Sequence, residues 1–270
     1  MLMSKKEIID KFIRDPNFDE EASLMQRIEE FKTFFEKQIQ CIRNIEDATM
    51  QAICICAFID SLAQESEGYP REHKPAFYNF VRRHQKRCEY LEAIDPITLF
   101  YRVESLINES VLVDGFLSKK TINIEDMGVS FGMTMKDIIN KGKAEEILWY
   151  VKNKKGVDIA QKYAEDHRLI SLIYKMRSKA VHEMSGIGRS IKALDGDLPN
   201  EPYYMDIDRM DVDGEYIVAK NIIELVIPNS FLFNILKDCV DGYLSDCELN
   251  RRKPFSNNIK RKCHLSWYDN

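Results

Sequence analysis

Leu169-Ile170-Ser171-Leu172-Ile173-Tyr174-Lys175-Met176-Arg177-Ser178-Lys179-Ala180-Val181-His182 is the stretch that sets both the fold class and the candidate chemistry. Leu169, Ile173, Met176 and Ala180 recur at helical intervals, and Ile170, Tyr174 and Val181 widen the stripe on one side, the pattern of an amphipathic helix. Arg177 falls inside that apolar arc, whereas His182 falls on the polar side, one turn after Ser178. An arginine carries a permanent planar cation suited to a phosphate, and a histidine moves protons near neutral pH. Cleaving an RNA phosphodiester needs both tasks done.

An offset of five residues turns a helix through about 500°, so the two side chains diverge by roughly 140° and lie about 7.5 Å apart along the axis. They are not facing neighbours, as a pair four apart would be. One helix does not make the site alone unless the arginine reaches round or the helix is distorted. Two copies related by a twofold axis could bring an arginine and a histidine from each chain into one cleft. The plainer reading makes Arg177 a structural ion pair, with Asp60 as its natural partner, and His182 a solvated side chain.

Around this segment the chain reads as mostly helical. Helices are expected over 4–13, 18–45 (with Phe31, Phe34, Phe35 and Ile39 on one face), 47–66, about 74–93, 96–110, 143–154 and 157–185, with Gly186 and Gly188 closing the last. Residues 111–142 carry Gly115, Gly128, Gly132 and Gly142 and leave only short pieces. After 200 the period changes: Tyr203 to Asp208 alternates, Asp213-Gly214 is a favourable hairpin turn, and Glu215 to Ile227 returns as a strand before Pro228. A final helix is expected over about 229–249. The expected domains are an N-terminal helical extension (1–45), a helical domain (46–250) that includes the hairpin at about 203–227, and a basic C-terminal tail (251–270).

With 270 residues and 44% hydrophobic content, the chain can build one large core or two smaller ones. No apolar run approaches the roughly 20 residues that span a bilayer, and Met-Leu-Met-Ser-Lys-Lys-Glu is no signal peptide, so a cytoplasmic protein with no membrane partner is expected. Seven cysteines show no convincing ligand spacing: Cys54 and Cys56 read as core residues, and Cys239, Cys247, Cys263 and His264 make a poor zinc set. No metal and no cofactor is expected. The net charge of −5 does not advertise a nucleic-acid binder, but its distribution is uneven. Residues 195–215 hold eight acids against Arg209, whereas 251–262 hold six bases and no acid. The acids at 206–215 miss the spacing of a calcium loop, since Arg209 stands at the first ligand position. Arg82, Arg83, Lys86 and Arg87 form a second basic cluster and candidate RNA contact, and Lys152, Lys154 and Lys155 a third. Each cluster is equally readable as a solvated face or as a partner for the acidic stretch.

"LIYKMRSKAVHE" (172–183) resembles the signature helix of the HEPN superfamily (higher eukaryote and prokaryote nucleotide-binding domains), whose ribonuclease members carry Arg, four to six residues, then His. "ICAFIDSLAQESEGYPREHKPAFYNFVRRH" (55–84) is similar to the earlier helix pair of bacterial HEPN-like proteins. "IELVIPNSFLFNILKDCVDGYL" (223–244) is similar to the strand, Ile-Pro turn and closing helix of Apea-like relatives. The resemblance implies a mainly α fold, a HEPN-like helical bundle with a small β-hairpin insertion before the last helix. It implies a homodimer that cleaves RNA without metal, with Arg177 and His182 catalytic. Ser178 would help orient the phosphate, at a position where Asn, Asp or His is more usual, and Asp60 would position Arg177. A toxin or effector role in phage defence or stress, with an antitoxin or defence-system partner, is the implied setting. Met184 stands where one toxin branch has a modifiable tyrosine, which speaks against control by that route. The alternative is a non-catalytic HEPN-like module that binds nucleotide, RNA or protein.

Overall fold

A computed structural model describes residues 20–68, 72–86, 89–107, 111–113, 116–118, 127–129, 132–139, 141–183, 191–192, 200–207, 210–212, 215–217 and 222–255. The expected helix at 4–13, Gly186 and Gly188, the Asp213-Gly214 turn, Arg87 and the tail past 255 lie outside these residues.

The fold is mainly helical. Its centre is a helix whose sequence is apolar on nearly every side. Asp47 caps it, its Oδ1 accepting from the Met50 N–H at 2.7 Å. Ala52, Ile55, Cys56, Ile59, Leu62 and Ala63 along it are fully buried, and Gly68 follows its end at φ +72. With α1 as Glu20–Arg43, this central helix is α2 (Ala48–Ser66), and α3 (His73–His84), α4 (Pro96–Ile107), α5 (Met135–Ile139), α6 (Lys143–Lys155), α7 (Val157–Asp166), α8 (Leu169–Glu183) and α9 (Asn229–Leu249) follow. α2 packs against α1, α3, α8 and α9, while α4 packs on α6. The buried Asn229 ties the start of α9 to the start of α2, donating to the Ala48 carbonyl at 2.9 Å and to Gln51 Oε1 at 2.6 Å.

Before α9 the expected hairpin is present. β4 (Tyr203–Ile207) runs antiparallel to β7 (Ile222–Val226), with Tyr203 opposite Val226 and Ile207 opposite Ile222. β3 (Ile191–Lys192) adds to β7 in parallel. The return from Glu215 to Ile227 is not one strand: β6 (Glu215–Ile217) pairs with β5 (Met210–Val212), and β7 begins later. A small antiparallel pair, β1 (Val111–Val113) with β2 (Phe116–Ser118), occupies part of the weakly patterned region. Among the described residues no helix is long and apolar enough to cross a membrane.

Two expected helices are shorter than their sequences suggest, for one shared reason. The helix expected over 74–93 ends at His84, and the one expected over 157–185 breaks into α7 and α8 at His167 and Arg168. The carbonyls of Leu91 and Ala93 accept the N–H groups of Ile170 and Leu169, each at 3.0 Å. Ile94 makes an antiparallel bridge with Arg168. The first donors of a helix have no partner within it, so an extended strand of chain laid across them satisfies both segments at once. Local periodicity gives no sign of that exchange.

The same junction holds a buried polar layer. Asp95, fully buried at the head of α4, accepts the Thr98 N–H at 2.7 Å and the Tyr204 O–H at 2.5 Å. Burial pushes its carboxyl above the ordinary range, against the pull of those hydrogen bonds. His167 Nδ1 lies 3.2 Å from Thr98 Oγ1, and burial, helped by Lys175, lowers its imidazole from 6.5 to about 4. Such a base binds more protons unfolded than folded. Its contribution is therefore complete above about pH 6.5 and is lost as pH falls from there toward 4. Urea unfolding of His167→Gln against wild type is expected to show this as a differential loss of about 2 kcal/mol between about pH 7 and pH 5. Parallel pH profiles for the two proteins would rule the assignment out.

Candidate functional site

α8 begins on borrowed carbonyls and then follows its apolar stripe. Leu169, Ile170, Leu172, Ile173 and Met176 are buried. Tyr174 packs against Phe77 and Tyr78 of α3, with ring centroids 5.3 and 6.1 Å apart. The helix then runs without interruption through Arg177, Ser178 and His182 to Glu183. The positions of these three on the helical backbone are what the structure describes. Five residues of regular helix keep Arg177 and His182 about 7.5 Å apart along the axis and about 140° apart around it. One helix alone therefore does not bring the two positions together.

Asp60 lies on α2, the helix against which α8 packs, and only 4% of it is exposed. It neither caps a helix nor faces solvent. Gln64 Nε2 reaches its Oδ1 at 3.4 Å, a long bond.

The basic cluster on α3 divides. Arg82 binds Glu92 through Nε at 2.5 Å and Nη2 at 2.8 Å, and Arg168 donates to the same carboxylate at 2.6 Å. The hydrogen bond from Arg82 does most to hold the Glu92 carboxyl below its ordinary range; burial pulls the other way, and the hydrogen bond from Arg168 adds to the lowering. Arg83 turns the other way, to Glu67 at 2.7 Å and Asp246 at 3.7 Å. Lys86 anchors through its backbone N–H on Asp238 at 3.3 Å, with an exposed side chain. Adjacent arginines thus serve opposite sides of one helix, and Arg82 opens onto a cleft.

Next to Arg83, His84 is buried, its Nε2 3.3 Å from Asp246 Oδ2 but not aligned for a hydrogen bond. Burial lowers its imidazole, outweighing the opposing pull of Asp246, so it stays neutral at pH 7. Its ring lies against Gly242 of α9: a Cβ there would stand 2.3 Å from Nδ1 and 2.7 Å from the His84 Cβ. Alanine in place of a mid-helix glycine ordinarily stabilises by about 1 kcal/mol. Here the ring is held by Phe80, 4.7 Å away, and cannot retreat. Gly242→Ala is expected to cost about 1–3 kcal/mol net in chemical denaturation. His84→Ala in the same chain should recover it only in part, since the His84 Cβ also crowds. A stabilised Gly242→Ala protein would contradict this packing.

Sequence reasoning missed Lys74, Tyr78, Asn79 and Arg168, which with Arg82 and Glu165 line a cleft of about 380 Å³ between α3 and the α7–α8 joint. Lys74 and Arg168 show in the sequence by charge alone and Tyr78 and Asn79 not at all, on two segments some ninety residues apart: Lys74 and Asp166, paired at 3.4 Å, are separated by 92 positions. Among the described residues no group of His, Cys, Asp or Glu is placed to hold a metal ion. Cys41, Cys54, Cys56, Cys239 and Cys247 are free thiols. No family model, no curated protein and no solved structure matches the chain.

Proposed function

We propose that the chain is a metal-independent endoribonuclease of HEPN type that works as a homodimer. The observation that carries this reading is the uninterrupted α8 backbone bearing Arg177, Ser178 and His182, packed along the helix that buries Asp60. The RNA's own 2′-oxygen attacks the adjacent phosphorus while the P–O5′ bond breaks. The proton leaves the 2′-hydroxyl and a proton arrives on the 5′-oxygen, yielding a 2′,3′-cyclic phosphate and a 5′-hydroxyl. His182 serves one of these transfers. Arg177 stabilises the charge that grows on the phosphoryl oxygens, Ser178 helps orient the phosphate, and Asp60 positions Arg177. DNA lacks the attacking hydroxyl and resists. The setting that fits such an activity is a toxin or effector in phage defence or stress, held by a partner protein.

The second reading, a binding or regulatory module, is favoured by the net charge of −5 and by the carboxylate partners of Arg82 and Arg83. Under it Arg177 serves an interface. The deciding experiment is cleavage of a labelled structured RNA in EDTA by wild type and by His182→Ala. Cutting by wild type alone supports the nuclease. Cutting by neither, with Arg177→Ala altering the oligomeric state, supports the module. Equal cutting by both overturns the assignment of the site.

A further inference from the structure

The cleft between α3 and the α7–α8 joint has an excess of fixed positive charge. Glu92 is shared by the guanidinium groups of Arg82 and Arg168. Asp166 is shared in the same way by the ammonium groups of Lys74 at 3.4 Å and Lys175 at 3.8 Å. Among the side chains that line the cleft, three cations, Lys74, Arg82 and Arg168, meet one carboxylate, Glu165, in a protein whose overall charge is −5. Arg82 spends Nε and Nη2 on Glu92 and Arg168 spends Nη1, so each keeps a guanidinium nitrogen that no acceptor meets among the described residues.

The cleft is also pre-organised. Lys74 Nζ and the Arg82 guanidinium both stand over the Tyr78 ring, at 5.4 and 5.6 Å from its centroid. That ring is fixed by its hydroxyl, which donates to Ser171 Oγ at 2.5 Å, while Ser171 donates to the Glu165 carbonyl. At about 380 Å³ the space accepts a phosphate with part of its nucleotide. Planar guanidinium donors held beside an aromatic wall match a phosphodiester oxygen better than a carboxylate peptide, because Arg forks and ring faces serve phosphates and bases together.

Its place on the molecule suggests which phosphate. Arg168 immediately precedes α8, its carbonyl accepting the Leu172 N–H, and Lys175 and His182 follow at intervals of seven, so each step makes two turns less about 20° and the three backbone positions follow one edge of the helix. The distance from Arg168 to His182 along that edge is about 21 Å. We infer that the cleft is a backbone-phosphate subsite for single-stranded RNA, placed so that a strand held there continues along α8 toward His182. This deepens the ribonuclease reading and rests on it for the identity of the strand.

The test uses the full chain and a short fluorescein-labelled 2′-O-methyl oligoribonucleotide, which has no free hydroxyl to attack and stays intact. Asn79→Glu places a carboxylate at an exposed position of the cleft without removing an ion pair. It is expected to weaken binding about tenfold at low salt and to lower the slope of log affinity against log salt by about 0.7, one phosphate's worth. Lys37→Glu, at an exposed position of α1, changes the net charge by more and is expected to leave affinity within about twofold. Arg168→Gln should mimic Asn79→Glu. Wild type that does not bind the oligonucleotide, an unaffected Asn79→Glu protein, or equal losses in Asn79→Glu and Lys37→Glu each overturn the subsite. Cleft-dependent binding without any cleavage of natural RNA would uphold the subsite and remove the nuclease. Cleavage with cleft-independent binding would do the reverse.

Discussion

His182→Ala is expected to slow RNA cleavage in EDTA by about two to four orders of magnitude, the usual worth of a positioned general acid or base. Fold and assembly should survive the change. Alanine is the better helix former, so α8 loses no intrinsic stability, and the packed stripe from Leu169 to Met176 is untouched. Arg177 behaves differently under substitution. Lysine preserves its charge but not the fork that holds two phosphoryl oxygens, so Arg177→Lys should restore little of what Arg177→Ala loses. Initial rates on a labelled structured RNA, with circular dichroism and sedimentation on the same preparations, measure all of this together. A folded His182→Ala protein that cuts at the wild-type rate would place the chemistry elsewhere.

How much of this was legible in the sequence follows from the range of the forces involved. α2 and α9 could be located because their signals are local: a capping Asp47, a dense apolar run, Gly68 just past one end and Pro228 just before the other. The hairpin was legible for the same reason, by its change of period at Tyr203. The two helix ends at His84 and His167 were not, because each is set by hydrogen bonds between segments far apart in the chain. Helical propensity continues through both places, and only the docking of Leu91 and Ala93 on the head of α8 interrupts it. The site divides along the same line. The spacing of Arg177 and His182 is a property of one helix and could be read directly. The cleft depends on Lys74 and Arg82 meeting Arg168, and Asp60's burial depends on what packs over α2. Even neighbouring Arg82 and Arg83 could not be assigned to different sides until their carboxylates, Glu92 on one side and Glu67 and Asp246 on the other, had positions.

Phe35→Ala is expected to destabilise the protein by about 3–5 kcal/mol, the range for emptying an aromatic position in a packed core. Phe35 is fully buried, with ring centroids of Phe58, Phe31, Phe255 and Tyr243 at 5.5, 5.9, 6.1 and 6.2 Å. These rings come from α1, α2, α9 and the residues just after α9, so the lost contacts belong to four parts of the chain. Leu24 and Ile28 extend the same face of α1 into the shared core. Phe34, one residue away and turned by about 100°, is 48% exposed and borders an apolar groove instead. Phe34→Ala should therefore cost under about 1 kcal/mol, because about half of its surface already lies in water. Urea titration followed by circular dichroism separates two outcomes. If α1 folds with the bundle, Phe35→Ala lowers the midpoint of a single transition with its slope unchanged. If α1 were an extension that opens alone, the variant would show a small early loss of helix and an unshifted main transition. The aromatic cluster favours the first outcome: opening α1 alone would expose Phe58 and Tyr243 as well as Phe35, and that area is too large to leave the rest of the bundle at its original stability.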